Sequence, residues 1–204
     1  RYLTEVVPEN VRRVMRAYAR SGQGEIVQNQ DLVFFLVDVD HFKEVNDRHG
    51  RPVGDRLLIE LARRLTAVMR DSDLVVRWGG EEFLIVARDS DRGDAEQVAA
   101  RILQAVGGTP FDLGDGVAMA RTCSIGWAVL PWIRDAPPAV SWEETLVLVD
   151  RALYLAKRSG RNQAIGVMPS EHAPSAVEER WWREPFDQLE GRVRTARISG
   201  PHPS

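Results

Sequence analysis

One cysteine, Cys123, stands in 204 residues. No internal disulfide can therefore form, and a reducing compartment suits the chain. No apolar run approaches the roughly 18–20 residues that cross a bilayer, which excludes a membrane-spanning helix and predicts no membrane contact. A positive excess is missing too. Lys and Arg number 27 against 30 Asp and Glu, a formal net charge of −3, which argues against a broad basic surface for nucleic acid. The chain opens at Arg1 with neither a signal peptide nor an initiator Met. The expectation is a cytoplasmic piece of a longer protein, whose upstream part could be anchored in a membrane. What is present is a globular composition, 44% hydrophobic and 28% charged, long enough for one ordinary domain and some extra.

Hydrophobic periodicity places the elements. Val11, Val14, Met15 and Tyr18 repeat at helical spacing after Pro8, with Gly22 to close the segment. "LVFFLV", Leu32 to Val37, reads as a strand buried on both faces. Leu57, Leu61, Leu65 and Val68 predict a helix from about Gly54 to Arg70, and "LVVRW" and "FLIVA" predict a hairpin around Gly79-Gly80. Ala95, Val98, Ala99, Ile102 and Val106 mark another helix, and Val117 to Val129 read as strand after a small hairpin at "LGDG". Ser141 and Glu144 form a capping-box signature ahead of Leu146, Val149, Leu153 and Ala156; Gly160 ends that helix and "QAIGV" is a last strand. This order predicts an α+β domain, a central sheet with helices packed on it. The expected division is a lead-in helix over 1–30, the domain over 31–168 and an extension over 169–204, whose Trp181, Trp182 and Phe186 are expected to pack on their own chain.

Two places concentrate acid. Asp38 and Asp40 end the apolar strand "LVFFLVDVD", and Glu81 and Glu82 sit at the hairpin tip in "RWGGEEFLIV". A carboxylate at the edge of an apolar core costs several kcal/mol unless something positive meets it. Adjacent strands would bring Glu81 and Glu82 close to Asp38, with no Arg or Lys partner evident. That donor set suits a hard cation such as Mg²⁺, which takes oxygen ligands and keeps waters and phosphates in its shell. Taken singly, each acid reads better as a solvated strand-end or turn residue, and it is the set that points to a cation. Gly79 and Gly80 beside the set offer positive φ and close approach for a phosphate.

These residues resemble the GGDEF family, the diguanylate cyclases. "GGEEF" at Gly79 to Phe83 is a variant of the signature, "DVDHFKEVND" and "VGD" match the motifs before it, and "VDRALYLAKRSGRN" matches the closing motif. The resemblance runs from about Asp31 to Val167 and implies a palm-like, ferredoxin-like or nucleotidyl-cyclase-like, mostly antiparallel sheet. It implies condensation of two GTP into cyclic di-GMP and two pyrophosphates, with Mg²⁺ (two per site, Mn²⁺ as an alternative). By the same resemblance Asp38, Glu81 and the Val39 carbonyl bind metal, and Glu82 lies beside the metal and the reacting hydroxyl. Asn46 and Asp55 read guanine, the backbone of His41, Phe42 and Lys43 cradles phosphates, and Lys157 and Arg161, a helical turn apart, reach those phosphates as cations. Lys157 and Arg161 would otherwise simply complement a helix C-terminus. The product joins two nucleotides held by two domains, so a two-fold homodimer is implied.

Arg70 and Asp73 form an R-x-x-D pattern at the family's offset from the signature, and with Arg101 they correspond to its product-inhibition site. Otherwise Arg70 ends a helix and Asp73 fills a turn. The chain departs from the family's opening motif at "RYLTEVVPENVRR", carries Arg51 where a His is usual, read as a surface matter, and adds the tail after Met168. Cys123 reads as a small core residue. The rival readings are a catalytically silent cyclic di-GMP receptor acting through the R-x-x-D residues and a GTP-binding or dimerisation module.

Overall fold

The computed structural model describes residues 2–20, 30–170 and 193–202. An unbroken apolar run such as Leu32 to Val37 has to be covered on both sides, and β1 (Asp31–Val39), which contains it, is buried along its full length. Its odd residues Val33, Phe35, Val37 and Val39 pack with Leu57 and Leu61 of α3 (Arg51–Val68) and Ile102 of α4 (Ala95–Gly107). Its even residues Leu32, Phe34 and Leu36 pack with Val14 of α1 (Tyr2–Arg20) and with Val149 and Leu153 of α5 (Trp142–Arg158). Two hydrophobic cores thus sandwich one sheet. Burying each such large side chain contributes roughly 1.5–3 kcal/mol.

The sheet has the order β2-β3-β1-β6-β7-β8, with β2 (Leu74–Arg77), β3 (Glu82–Ser90), β6 (Cys123–Leu130), β7 (Gln163–Pro169) and β8 (Val193–Ser199). β1 is antiparallel to both β3 and β6, and β2 is antiparallel to β3. Two split β-α-β units therefore interleave, the expected palm-like, ferredoxin-like α+β arrangement. α5 then crosses over to β7, parallel to β6. The crossing is close: a Cβ on Gly126 would lie 2.1 Å from the Val149 carbonyl oxygen and 2.3 Å from the Leu153 nitrogen, so glycine is required there.

Several boundaries differ from expectation, each for a local reason. α1 runs through Pro8 instead of starting after it; Gly22 lies outside the described residues. α3 begins at Arg51 because Pro52 fits the first helical turn. The stretch read as loop after β1 contains α2 (Phe42–His49). The strand expected from Val117 starts at Cys123, and the residues before it form a hairpin of β4 (Phe111–Asp112) and β5 (Ala118–Met119) turning at Gly114 and Gly116, both at positive φ. The expected capping box of Ser141 and Glu144 is present at α5.

The far tail adds a strand: β8 pairs antiparallel with β7, and Ala196 and Ile198 pack on the core. The edge of the sheet therefore does not coincide with the expected division at 168. Trp181, Trp182 and Phe186 lie outside the described residues. Among the described residues no helix is long and apolar enough to cross a membrane. At the start of β1 the buried Asp31 accepts from Tyr18, from Arg92 Nε at 2.9 Å and from Arg92 Nη2 at 3.0 Å, which fastens α1 to the sheet.

Candidate active site

The end of β1 and the turn after it bring two acids to one place and give them different surroundings. Even positions of β1 face α5, so Asp38 points towards it, and Asp40 is the turn residue that follows the strand. Asp40, 3% exposed, accepts from Thr122 Oγ1 and Ser124 Oγ at 2.7 Å each and from the Asn162 amide at 3.0 Å. Its carboxylate is satisfied by protein donors and works as a strut between β1, β6 and the turn after α5.

Asp38 lacks such donors. Its one close partner among the described residues is Lys157, with Nζ 2.8 Å from Oδ2, so a cation does meet these acids where none was expected. Burial nevertheless pushes the Asp38 carboxyl up from 3.8 to about 6; Lys157 opposes the rise, and the charges of Glu81 and Glu82 add to it. Glu82 is the direct cross-strand partner of Asp38, and Leu84 and Val86, further along β3, share that face. Like charges placed opposite each other destabilise a sheet unless something positive bridges them. One lysine serves a site where three carboxylates are within electrostatic reach.

The hairpin tip is held by its own backbone. The amides of Trp78 and Gly79 donate to the Glu82 carbonyl at 2.8 and 3.3 Å, and Arg77 grips the Gly80 carbonyl through Nε at 3.1 Å and Nη2 at 2.7 Å. Neither Gly79 nor Gly80 takes positive φ, contrary to expectation. Their value is space. A Cβ on Gly79 would come 3.0 Å from Glu82 Oε2, and one on Gly80 would meet nothing within 4 Å, leaving that side open.

That open side faces a cleft of about 550 Å³, within the usual range for small-molecule sites. Asn46, Asp55, Phe42, Lys43, Gly80 and Glu81 line it, so residues from α2, α3 and the hairpin tip meet as expected. Gly54 makes this fit: a Cβ there would lie 2.0 Å from Asn46 Oδ1 and 3.2 Å from the Phe42 ring. His41 holds a left-handed conformation, φ 60°, and turns the chain so that α2 begins at Phe42. The expected phosphate cradle is thus a helix N-terminus, with amides and dipole that favour anions. Val39 has its side chain in the core, so only its backbone can face a ligand.

Leu58, Arg51 and Arg77 also line the cleft and were missed as site residues. Their signals were present: Arg51 and Leu58 flank Asp55 at helical spacing, and Arg77 adjoins the signature.

Lys157 and Arg161 are not one helical turn apart. α5 ends at Arg158; Gly160 and Arg161 have φ of 113° and 61°, and the Arg161 amide returns to the Ala156 carbonyl at 3.0 Å. Gly160 breaks the helix and leaves Arg161 exposed on a turn that Asp40 braces through Asn162.

Arg70, Asp73 and Arg101 come together at a second place, a crevice of about 20 Å³ that Asp91 and Asp94 also line. A nucleotide cannot enter it and would have to lie across its rim. The Asp73 carboxylate takes the Arg70 and Arg88 amides, each at 2.9 Å, while the Arg70 side chain is exposed.

Among the described residues no group of three or more His, Cys, Asp and Glu side chains closes into a protein-only metal cage. Mg²⁺ does not need one, because it is commonly held by one or two carboxylates together with substrate phosphates. Asp38, buried and short of donors, together with Glu81 at the cleft wall, fits that role, with Glu82 opposite Asp38 adding to the uncompensated charge. Cys123 is fully buried, and burial pushes its thiol well up, so it is an inert core residue.

Comparison with known proteins agrees with this geometry. Response regulator PleD of Caulobacter vibrioides is 40% identical over 132 residues, 64% of this chain and 28% of that protein. Diguanylate cyclase TpbB of Pseudomonas aeruginosa is 36% identical over 133 residues, 65% of this chain and 29% of that protein. The chain thus spans less than a third of the length of these relatives. Among solved structures, the active GGEEF domain of a diguanylate cyclase from Vibrio cholerae matches with a TM-score of 0.61 at 28% identity, covering 79% of this chain and 93% of that one. The family model "Diguanylate cyclase, GGDEF domain" matches residues 10–163, a span that contains the cleft, the hairpin tip and the R-x-x-D crevice, and on that match the chain belongs to the GGDEF family.

Proposed function

We propose that this chain is the catalytic domain of a diguanylate cyclase, condensing two GTP into cyclic di-GMP and two pyrophosphates across a two-fold axis between two copies. The observation that carries the reading is the cleft itself: Asn46, Asp55 and Glu81, far apart in sequence, share its wall, and Glu81 is within electrostatic reach of the buried Asp38. Asp55 can accept from guanine N1–H and N2–H₂, and Asn46 offers both a donor and an acceptor. The amides at the start of α2 receive the terminal phosphates. Asp38, Glu81 and the Val39 carbonyl would hold Mg²⁺ or Mn²⁺, with Glu82 beside them. When bound there, such a cation would supply charge to neutralise the triphosphate and to lower the pKa of a 3′-hydroxyl. With Asp38 so engaged, the Lys157 ammonium is free to pair with phosphate, joined by Arg161 from its braced turn. One domain holds one GTP, so the attacking hydroxyl comes from the nucleotide of a facing copy.

Chromatography of nucleotides after incubating nucleotide-free protein with GTP and Mg²⁺ tests the reading. Cyclic di-GMP should form with a more than linear dependence on protein concentration, and Glu81→Ala should remove it by roughly a thousandfold or more, as loss of a preorganised electrostatic group does elsewhere. Binding of cyclic di-GMP with no turnover, even in dimers forced by a fused coiled coil, would establish the silent receptor instead.

Product inhibition belongs to the same proposal. Arg70, Asp73 and Arg101 would read cyclic di-GMP from the rim of their crevice, the arginine forks taking guanine O6 and N7. Arg70→Ala is the clean probe because its exposed side chain is uncommitted among the described residues, whereas Asp73 also ties the turn after α3 to β3 through two amides. The variant should bind cyclic di-GMP at least about tenfold more weakly, with initial turnover within about twofold of the parent. Unchanged product affinity and unchanged inhibition would sink the assignment.

A further inference from the structure

Arg51 breaks a local rule. It opens α3, at the positive end of the helix dipole, where acids are favoured and cations are not, and no acid accompanies it in the first turn. Other arginines of α3 hold carboxylates: Arg56 meets Asp115 at 3.4 Å, and Arg63 and Arg64 meet Glu60 at 2.7 and 3.1 Å. Arg51 is exposed and has no hydrogen bond or ion pair among the described residues. Its position is nonetheless specific. Arg51, Asp55 and Leu58 follow one another at i, i+4 and i+7, and all three line the cleft. An unpaired cation is thus held one helical turn from the residue that reads the base. It follows Gly50, at φ 81°, and precedes Pro52, which fix the start of the helix.

Guanine leaves a vacancy of matching chemistry. The Asp55 carboxylate accepts from the N1–H and N2–H₂ donors and offers nothing to O6 and N7, and the one NH₂ group of Asn46 leaves the O6/N7 pair short of donors. An arginine fork is the side chain whose paired N–H groups fit those two acceptors. We propose that Arg51 reads the O6/N7 edge of the bound guanine and contributes to base specificity. This rests on the GTP reading above. Adenine, with a donor at its 6-position, would face the guanidinium with like polarity, so the same residue discriminates against ATP.

The test compares GDP, which offers the base in a form unsuited to cyclisation, with 7-deaza-GDP, in which N7 is replaced by C–H. Both are titrated calorimetrically, with Mg²⁺, into the parent and Arg51→Ala. The parent should bind GDP roughly fivefold more tightly than 7-deaza-GDP, the loss of one of two fork bonds. In Arg51→Ala both should bind alike and no better than 7-deaza-GDP binds the parent. Equal binding of the two by the parent, or an equal loss for both in the variant, would place Arg51 away from the base edge or on the phosphates and overturn this inference alone. A parent that binds neither GDP nor GTP would overturn the GTP reading along with it. The variant removes an exposed, unpaired cation from a helix start, so its melting temperature should match the parent's or exceed it slightly.

Discussion

Asp38→Asn should leave the metal-free protein more stable and the enzyme inactive. The Asp38 carboxyl is raised from 3.8 to about 6, first by burial and then by Glu81 and Glu82, against the help of Lys157. Between those pH values the folded chain binds a proton that the unfolded chain has released. Stability contributed at this position is therefore fully present below the ordinary carboxyl value and is lost as pH rises through about 6. At neutral pH the loss is at most on the order of 3 kcal/mol. Asparagine keeps the shape and drops the charge, and the Lys157 side chain, 34% exposed, can turn to water. A net gain of about 1–2 kcal/mol is expected, a rise of roughly 3–6 °C in melting temperature for a chain of this size.

The sign of the pH dependence makes the result diagnostic. The gap between variant and parent should be widest at pH 7.5, narrow as pH falls through about 6, and close only below the ordinary value of 3.8, where the parent's Asp38 is protonated in both folded and unfolded states. Mg²⁺ with GTP should stabilise the parent by mass action and leave Asp38→Asn nearly unaffected. Turnover should fall by roughly a thousandfold. A variant less stable than the parent, or a gap indifferent to pH, would mean that Lys157 compensates Asp38 fully and that the site holds no excess negative charge for a cation to relieve.

How much of this could be read from the chain differs from element to element. Strand β1 was legible because a run such as "LVFFLV" has one physical solution, burial on both faces, and α5 was legible because its capping box is a local signature. The cleft residues Asn46, Asp55 and Glu81 were legible through the family's motifs, and the structure brings them to one wall. β8 was not legible. Its sequence, "VRTARIS", alternates only weakly, and its burial comes from pairing with β7, a contact no local pattern announces. α2 was hidden by its shortness and by the left-handed His41 that starts it. Lys157 as partner of Asp38 was hidden by distance in sequence, although strand parity carried a hint: Asp38 points towards the face that α5 covers.

Asp40 is the contrasting case, and Asp40→Ala should have the opposite effect on stability. Asp38 near the end of β1 and Asp40 in the turn just after it share deep burial, at 5% and 3% exposure. What separates them is the donor count. Asp40 takes Thr122 Oγ1, Ser124 Oγ and the Asn162 amide, and each of these would lose its partner in the alanine variant. Unsatisfied buried donors cost about 1–3 kcal/mol each, softened here where a hydroxyl can rotate, so a loss of about 3–5 kcal/mol is expected in urea unfolding with the slope unchanged. The damage should also reach the site. Asp40 braces the turn that carries Arg161 and follows Lys157, so the fraction still folded should show a raised KM for GTP. Asp40→Asn should recover part of the stability, because the amide oxygen can still accept while the NH₂ group faces a hydroxyl able to accept in turn. A loss below about 1 kcal/mol for Asp40→Ala would show that water replaces the carboxylate easily and that Asp40 is no strut. Two aspartates two residues apart would then differ far less than their surroundings require: one held by three donors to keep the site in place, the other left short of them where a cation would bind.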